Sequence, residues 1–426
     1  MACEAQKFRC SEVPKFSSAE TAAIRGGRVA DPWSRAIVTP LVQSTTFVGE
    51  SLESPPPHAY SRVSNPTVSS LEARLGAIEE CPPAVCFGTG LAAETALFLA
   101  SLRAGDHLVL GEAIYGGTVR LVRELLAGLG VSHTFVDTAG DEGPARVAAA
   151  IRPTTRLVFI ETPANPTLTL TDIHAVAHAT KRASGGNALL AVDNTFLTPV
   201  LCRPLDLGAD IAVYSTTKHI EGHSAAMGGS ISSRDEALLT HIRWVRKCIG
   251  NIQAPFNAYL TERGLATLPL RLREHSRNAQ RVAEWLVSRV GNGVASVNFP
   301  GLADHPQREL ARRQHLGDLH GGVVSFEVDG GYDAARRLLA ALQLCSLVEH
   351  VGSVETLVTH SASMTHADVP REHRLRVGIT DGFVRISVGL ENPSDVIADL
   401  DQAFDTVFSE CEASTLEGGV PCQAAK

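Results

Sequence analysis

The chain has 426 residues, a formal net charge of −8 at pH 7 and 44% hydrophobic residues, enough for two or three domains with a large core. The acidic balance gives no electrostatic footprint for nucleic acid or an anionic membrane, and no apolar run approaches the ~20 residues of a transmembrane helix. Nine cysteines without a spacing pattern, and a start (Met1 to Cys10) lacking an apolar signal core, point to reduced thiols in the cytoplasm, and the histidines form no His-Glu-x-x-His cluster, so no metal is expected.

Residues 1 to about 65 are irregular and rich in Pro and Ser. Ser54-Pro55-Pro56-Pro57 joins neither a helix nor a central strand, so this segment reads as an extended arm. Asn65-Pro66 supplies an N-cap and a proline at the first helical position, and Leu71, Leu75 and Ile78 continue at helical spacing. A short strand-like run leads into Phe87-Gly88-Thr89-Gly90-Leu91, which opens a predicted helix over Ala92–Leu102. Backbone N–H groups at a helix start favour an anion, which makes Gly90 and Leu91 a candidate phosphate site. Predicted strands His107–Leu110, His133–Val136, Leu157–Ile160, Leu189–Val192 and Ile211–Tyr214 alternate with helical runs such as Val119–Leu126. That alternation argues for an α/β fold, a mostly parallel sheet with helices on both faces. From about 273 the pattern changes to a long helix (Asn278–Val290), a strand (Gly322–Val328), a helix (Asp333–Leu342), a strand (Val384–Val388) and a final helix. The expected division is an arm (1–65), an α/β domain (66–272) and a smaller C-terminal α+β domain (273–426).

Only six of the 38 Lys and Arg residues are lysines. Lys7 and Lys15 fall in the polar N-terminal stretch, Lys426 is the last residue, and Lys181 and Lys247 have polar, arginine-rich surroundings. Lys218 alone ends a buried strand, where open α/β sheets place their ligands. A desolvated amine there is neutral enough to form a Schiff base, and Ser215 and Thr217 beside it are placed to hold a phosphate. Asp193, near the end of another apolar strand, needs a cationic partner, because an unpaired buried carboxylate is costly. A pyridinium nitrogen fits that need, and the pairing keeps the ring an electron sink. Tyr115, beside Gly116 and Gly117, is free to lie flat on an aromatic ring. Together these residues point to pyridoxal 5'-phosphate. The plainer alternatives are a surface lysine after a strand and an aspartate capping the next turn.

With Tyr115, Asp193 and Lys218 in this order, the chain resembles the Cys/Met-metabolism family of pyridoxal-phosphate enzymes, which includes cystathionine γ-lyase, cystathionine γ-synthase and methionine γ-lyase. The resemblance runs from about 35 to 408. It includes Gln43-Ser44-Thr45-Thr46-Phe47, Tyr60-Ser61-Arg62-Val63-Ser64-Asn65-Pro66-Thr67, Glu161-Thr162-Pro163-Ala164-Asn165-Pro166, Val192-Asp193-Asn194-Thr195-Phe196 and Arg385-Ile386-Ser387-Val388-Gly389-Leu390-Glu391. It implies a fold type I, aspartate-aminotransferase-like architecture and pyridoxal-phosphate-dependent γ-elimination or γ-replacement on a γ-substituted L-amino acid. By the same resemblance Lys218 is the Schiff-base lysine and proton shuttle, Asp193 the pyridinium partner and Tyr115 the ring-stacking residue. Gly90, Leu91, Ser215 and Thr217 match the phosphate cradle, while Tyr60 and Arg62 match residues that reach the phosphate of a neighbouring subunit. The resemblance thus implies a homo-oligomer, a dimer with shared sites that is usually paired into a tetramer, with an arm that crosses the interface. Asn165 and Arg385 match residues that hold the substrate, Arg385 through its α-carboxylate.

Five places bear on substrate choice. His350-Val351-Gly352-Ser353 stands where the family commonly has Ser-Leu-Gly-Gly, Ala225 where an aspartate is usual, and Gly117 where methionine γ-lyases carry a cysteine. Glu349 matches the glutamate of the cystathionine-handling enzymes, and Arg120 also follows their pattern. Glu349 and His350 are expected to favour a polar or cationic distal group. A methionine γ-lyase, an O-acylhomoserine-using enzyme and a canavanine-type lyase are the alternatives. Elimination and replacement use the same residues, so the motifs do not choose between them. A non-catalytic relative is the competing class, disfavoured because every residue needed for carbanion chemistry is present.

Overall fold

The computed structural model describes Phe16 and residues 18–28, 30–31 and 33–416, with side chains through 408. Residues 1–15 of the expected arm, with Lys7 and Lys15, and the terminal Lys426 lie outside the described residues.

The larger sheet has seven strands: β1 (Val85–Phe87), β2 (His107–Gly111), β3 (Ser132–Val136), β4 (Thr155–Glu161), β5 (Leu189–Asp193), β6 (Ile211–Tyr214) and β7 (Gly229–Ser233). Their order is β1-β7-β6-β5-β4-β2-β3. From β3 to β6 every pair is parallel, and only β7 runs against its two neighbours. The expected mostly parallel sheet is therefore present. Alternation along the strands divides the core in two. Val158, Ile160, Leu190 and Val192 pack with Leu71, Leu75, Ile173 and Val176 on one face. Leu157, Phe159, Ile211 and Val213 pack with Leu97, Phe98, Val122 and Ile242 on the other. Such a sheet, buried on both faces, reads as continuous apolar runs, which is why β4, β5 and β6 stand out in the sequence.

β7 was not foreseen. Its residues Gly229-Ser230-Ile231-Ser232-Ser233 are small and mostly polar, yet all five are buried. Space explains the composition: a side chain at Gly229 would run into the backbone of Thr89 and Gly90. The expected helix cap at 65 is present, with Asn65 Oδ1 accepting the Thr67 N–H at 2.9 Å and Pro66 opening the helix Pro66–Ile78. The run 119–126 is helical, but its turns widen over Leu121–Leu126, just beyond Arg120, as happens in π-bulges.

The second sheet holds β8 (Val294–Asn298), β9 (Val323–Val328), β10 (Ser346–Leu347), β11 (Leu357–His360) and β12 (Phe383–Ser387) in the order β10-β11-β12-β9-β8. Val324, Phe326, Val384 and Ile386 meet Val282, Leu286, Leu338 and Phe404 from the helices Leu268–Ser288, Gly331–Ala341 and Pro393–Leu416. The first of these helices begins earlier than the expected Asn278, because Pro269 sits in its first turn, where proline needs no N–H partner. It links the two parts. His275 Nδ1 lies 2.8 Å from the Val388 carbonyl, and Asn278 Nδ2 donates to Gly389 O at 3.1 Å.

A buried ion pair locks the helices flanking β1. Arg246 Nη1 lies 2.5 Å from Glu72 Oε1, with both side chains almost fully enclosed, and it also donates to Cys86 O at 2.7 Å. Removing one member strands a charge, so Arg246→Met is expected to cost about 3–5 kcal/mol. Chemical denaturation checks this, with Arg246→Met/Glu72→Met expected to be less destabilised than the single variant. A single variant as stable as the parent would contradict it.

Candidate functional site

β4, β5 and β6 end at one edge of the sheet, and their terminal residues carry the site. Glu161 closes β4, Asp193 closes β5 in register with it, and Ser215, Thr217 and Lys218 follow β6. They line a cavity of about 500 Å³ together with Gly90, Leu91, Tyr115, Arg120, Asn165, Glu349 and Arg385. Eleven residues expected from sequence thus converge.

One end suits an anion. Thr89 caps the helix Gly90–Ser101, its Oγ1 accepting the Ala92 N–H at 3.0 Å, while the leading N–H groups of a helix have no intrahelical acceptor. Gly90 is required, since a Cβ there would lie 2.8 Å from that of Ser215. The Thr217 hydroxyl is also tied to Gly228, accepting its N–H at 3.0 Å and donating to its carbonyl at 3.1 Å.

At the other end Asp193 is 8% exposed. Among the described residues its side chain is bonded only by Thr195, whose backbone N–H and hydroxyl donate to Oδ1 at 2.9 and 2.6 Å. Burial pushes its carboxyl up to about 6 despite those bonds. A cationic ring nitrogen would supply the missing partner.

Between these ends stand Tyr115 and Lys218. A Cβ at Gly117 would strike the Tyr115 ring, so the glycine lets the ring fold back over its own helix start. The Tyr115 N–H donates to Glu161 Oε2 at 2.7 Å. Burial, and then the Arg385 guanidinium, pulls the Lys218 amine down to about 8. Lys218 Nζ lies 3.4 Å from His350 Nδ1. Burial and the nearby Lys218 and Arg385 hold that imidazole near 4, so it is neutral at pH 7 and able to accept a hydrogen bond from the amine.

Arg385, in β12, is 2% exposed and has no carboxylate partner among the described residues. Nη1 donates to Asn165 Oδ1 at 2.7 Å, and Nη2 donates to Thr359 Oγ1 at 2.9 Å and the His350 carbonyl at 3.2 Å. A substrate carboxylate would complete its pairing. Arg120 instead pairs with Asp368 at 2.7 Å, in the open part of the cavity.

Three expected residues lie outside the cavity lining: His350, which still reaches Lys218, and Tyr60 and Arg62. Arg62 lies over the Tyr60 ring, 5.3 Å from its centroid, and donates to Lys247 O at 2.9 Å. Glu94, Glu161, Thr195 and Asp368 are among the cavity residues with no role assigned from the sequence. Glu94 is buried, receives the Thr118 hydroxyl at 2.8 Å and is pushed up to about 8 by burial and by Asp193. Glu161, raised well above the carboxylate range by burial and by Asp193, accepts the N–H groups of Tyr115 and Asn165. Thr195 orients Asp193, and Asp368 holds Arg120. Glu161 opens a motif already notable in sequence, whereas Glu94 looks like an ordinary polar position on a helix.

An anion cradle, a stacking ring, a half-paired buried carboxylate and an amine of lowered basicity fit the phosphate, ring, pyridine nitrogen and aldehyde of pyridoxal phosphate. Comparison with known proteins agrees. The chain is 40% identical over 397 residues to an L-methionine gamma-lyase of Porphyromonas gingivalis, covering 91% of this chain and 97% of the relative. It is 40% identical over 393 residues to the cystathionine gamma-lyase of Bos taurus, covering 92% and 95%. A solved cystathionine gamma synthase from Xanthomonas oryzae pv. oryzae, in complex with aminoacrylate and cysteine, superposes with a TM-score of 0.87 at 39% identity, covering 93% of this chain and 99% of that one. The model of the Cys/Met metabolism PLP-dependent enzymes matches residues 20–405; the chain belongs to that family.

Proposed function

We propose that this protein catalyses γ-elimination or γ-replacement on a γ-substituted L-amino acid with a polar distal group. The observation that carries this reading is the joint placement of Lys218, Asp193 and Arg385 around one cavity. Bound pyridoxal phosphate supplies an electron sink for negative charge at the substrate Cα. Asp193 holds a proton on the ring nitrogen, and Thr195 keeps its carboxylate aimed. Arg385, braced by Asn165 and Thr359, fixes the substrate α-carboxylate. Lys218 takes the Cα proton as a free amine and serves the second proton transfer at Cβ as the group on Cγ leaves. His350 receives a hydrogen bond from that amine, and Tyr115 covers the ring. Water-linked breakdown then yields an α-keto acid and ammonia, or a nucleophile adds at Cγ.

The oligomer, the three-part division (1–65, 66–272, 273–426) and a cytoplasmic location belong to the same proposal. Trp33, Val48 and Leu52 on the arm are 95%, 95% and 97% exposed, which favours burial against a second copy. Tyr60 and Arg62 would then serve the partner's phosphate site. The two separate sheets support the division, and the unpaired thiols of Cys81, Cys86, Cys202, Cys248 and Cys345 suit a reducing compartment.

Three outcomes are expected. Lys218 is mostly ammonium below about pH 8 and free amine above it. Covalent cofactor uptake by the cofactor-free protein should therefore quicken as pH rises through about 8 and then level off. Borohydride trapping at several pH values checks this, and Lys218→Ala should trap nothing; a rate still climbing towards pH 10 would contradict it. Mixed dimers of Arg62→Ala and Lys218→Ala protomers should recover activity that neither parent has, because one shared site is intact; verified mixed dimers without recovery would refute the shared site. Cystathionine, methionine, O-acetylhomoserine and canavanine, each scored for keto acid and for replacement by an added thiol, test the substrate reading. Glu349→Ala should lower kcat/KM for a cationic-ended substrate about twofold to fivefold. Methionine preferred by a wide margin, with His350→Ser neutral, would overturn the reading.

A further inference from the structure

The cavity is graded in exposure. Arg385 and Asp193 are 2% and 8% exposed, whereas the Arg120 and Asp368 side chains are 54% and 74% exposed, and Glu349 is exposed as well. The α-amino and α-carboxylate groups of a substrate belong with Lys218 and Arg385 in the depth, so its far end meets Arg120, Asp368 and Glu349. Among the described residues, Arg120 is the guanidinium that lines the cavity there. Arg123, one turn on, is directed at His373, with Nη2 3.4 Å from Nδ1, and Arg376 pairs with Glu112. In the free protein Asp368 occupies Arg120 at 2.7 Å.

We propose that Asp368 is a specificity residue that makes the cavity mouth a clamp for a zwitterionic distal group. This rests on the polar-distal-group reading above and names the class of that group. A distal carboxylate displaces Asp368 from Arg120, and a distal ammonium on the same carbon takes the freed Asp368 together with Glu349. One internal ion pair is exchanged for pairs with the ligand, and no charge is left alone. The exchange costs little, because exposed ion pairs add little to stability. A purely anionic far end displaces Asp368 but leaves it unpaired beside a second carboxylate. A neutral thioether end leaves the internal pair closed.

Asp368→Asn in the full-length holoenzyme separates these cases. Cystathionine loses an ammonium partner but also the competitor for its distal carboxylate, so its KM should stay within about twofold. O-succinylhomoserine, an O-acylhomoserine ending in a carboxylate, loses only a competitor, so its KM should fall about twofold to fivefold, the scale of one exposed ion pair. That fall should shrink at high salt. Arg120→Gln should raise KM for both. If Asp368→Asn lowers both KM values alike, or does not lower that of O-succinylhomoserine, while Arg120→Gln weakens both substrates, the clamp is wrong and the polar-distal-group reading stands. If Arg120→Gln and Glu349→Ala leave both substrates untouched and methionine is preferred, that reading falls and the clamp with it.

Discussion

A carboxylate taken out of water without a cation costs several kcal/mol, and the floor of this cavity holds three carboxyl groups: Glu94, Glu161 and Asp193. The chain answers each differently. Glu94 stays protonated at neutral pH against a threonine hydroxyl. Glu161 spends its oxygens on two backbone N–H groups, fixing the loops that carry Tyr115 and Asn165. Asp193 receives only Thr195 and keeps an open side. Lys218 and Arg385 are likewise enclosed without an acidic partner among the described residues. The protein leaves unpaired what a cofactor and an amino acid bring, and binding completes the set.

That constraint orders the rest of the molecule. Parallel pairing of β4 with β5 sets Glu161 opposite Asp193, and the turn after β6 brings the amine to the same edge. Nothing in the larger sheet supplies the guanidinium, which comes from β12 of the smaller one. The helix Leu268–Ser288 bonds to the chain just after β12, through Val388 and Gly389. Arg271 of the same helix donates to His219 O at 2.9 Å, so the helix ties the strand of Arg385 to the turn of Lys218. The backbone carbonyl of His350 adds a further tie to Arg385 while its ring meets Lys218.

The parts of this arrangement legible in the sequence have local signatures. Apolar strands buried on both faces, the Asn65-Pro66 cap and the glycines before the helix at Gly90 announce themselves over a few residues. A lone lysine after such a strand does too, in a chain that otherwise uses arginine. Other parts depend on who sits opposite. β7 is hidden because its serines are chosen for space against the Gly90 turn, not for apolarity. Glu94 and Asp368 look like surface polar residues until folding aims one at the cavity floor and sets the other on Arg120. Arg385 alone reads as a surface arginine, and only its neighbours in sequence gave it a role.

Gly117 shows how an absent side chain shapes such a cavity. Because the Tyr115 ring occupies the space a Cβ would fill, a cysteine at this position displaces the ring and moves its stacking surface with it. The side chain at 117 thus sets where the tyrosine lies, and through it the height of the cavity roof.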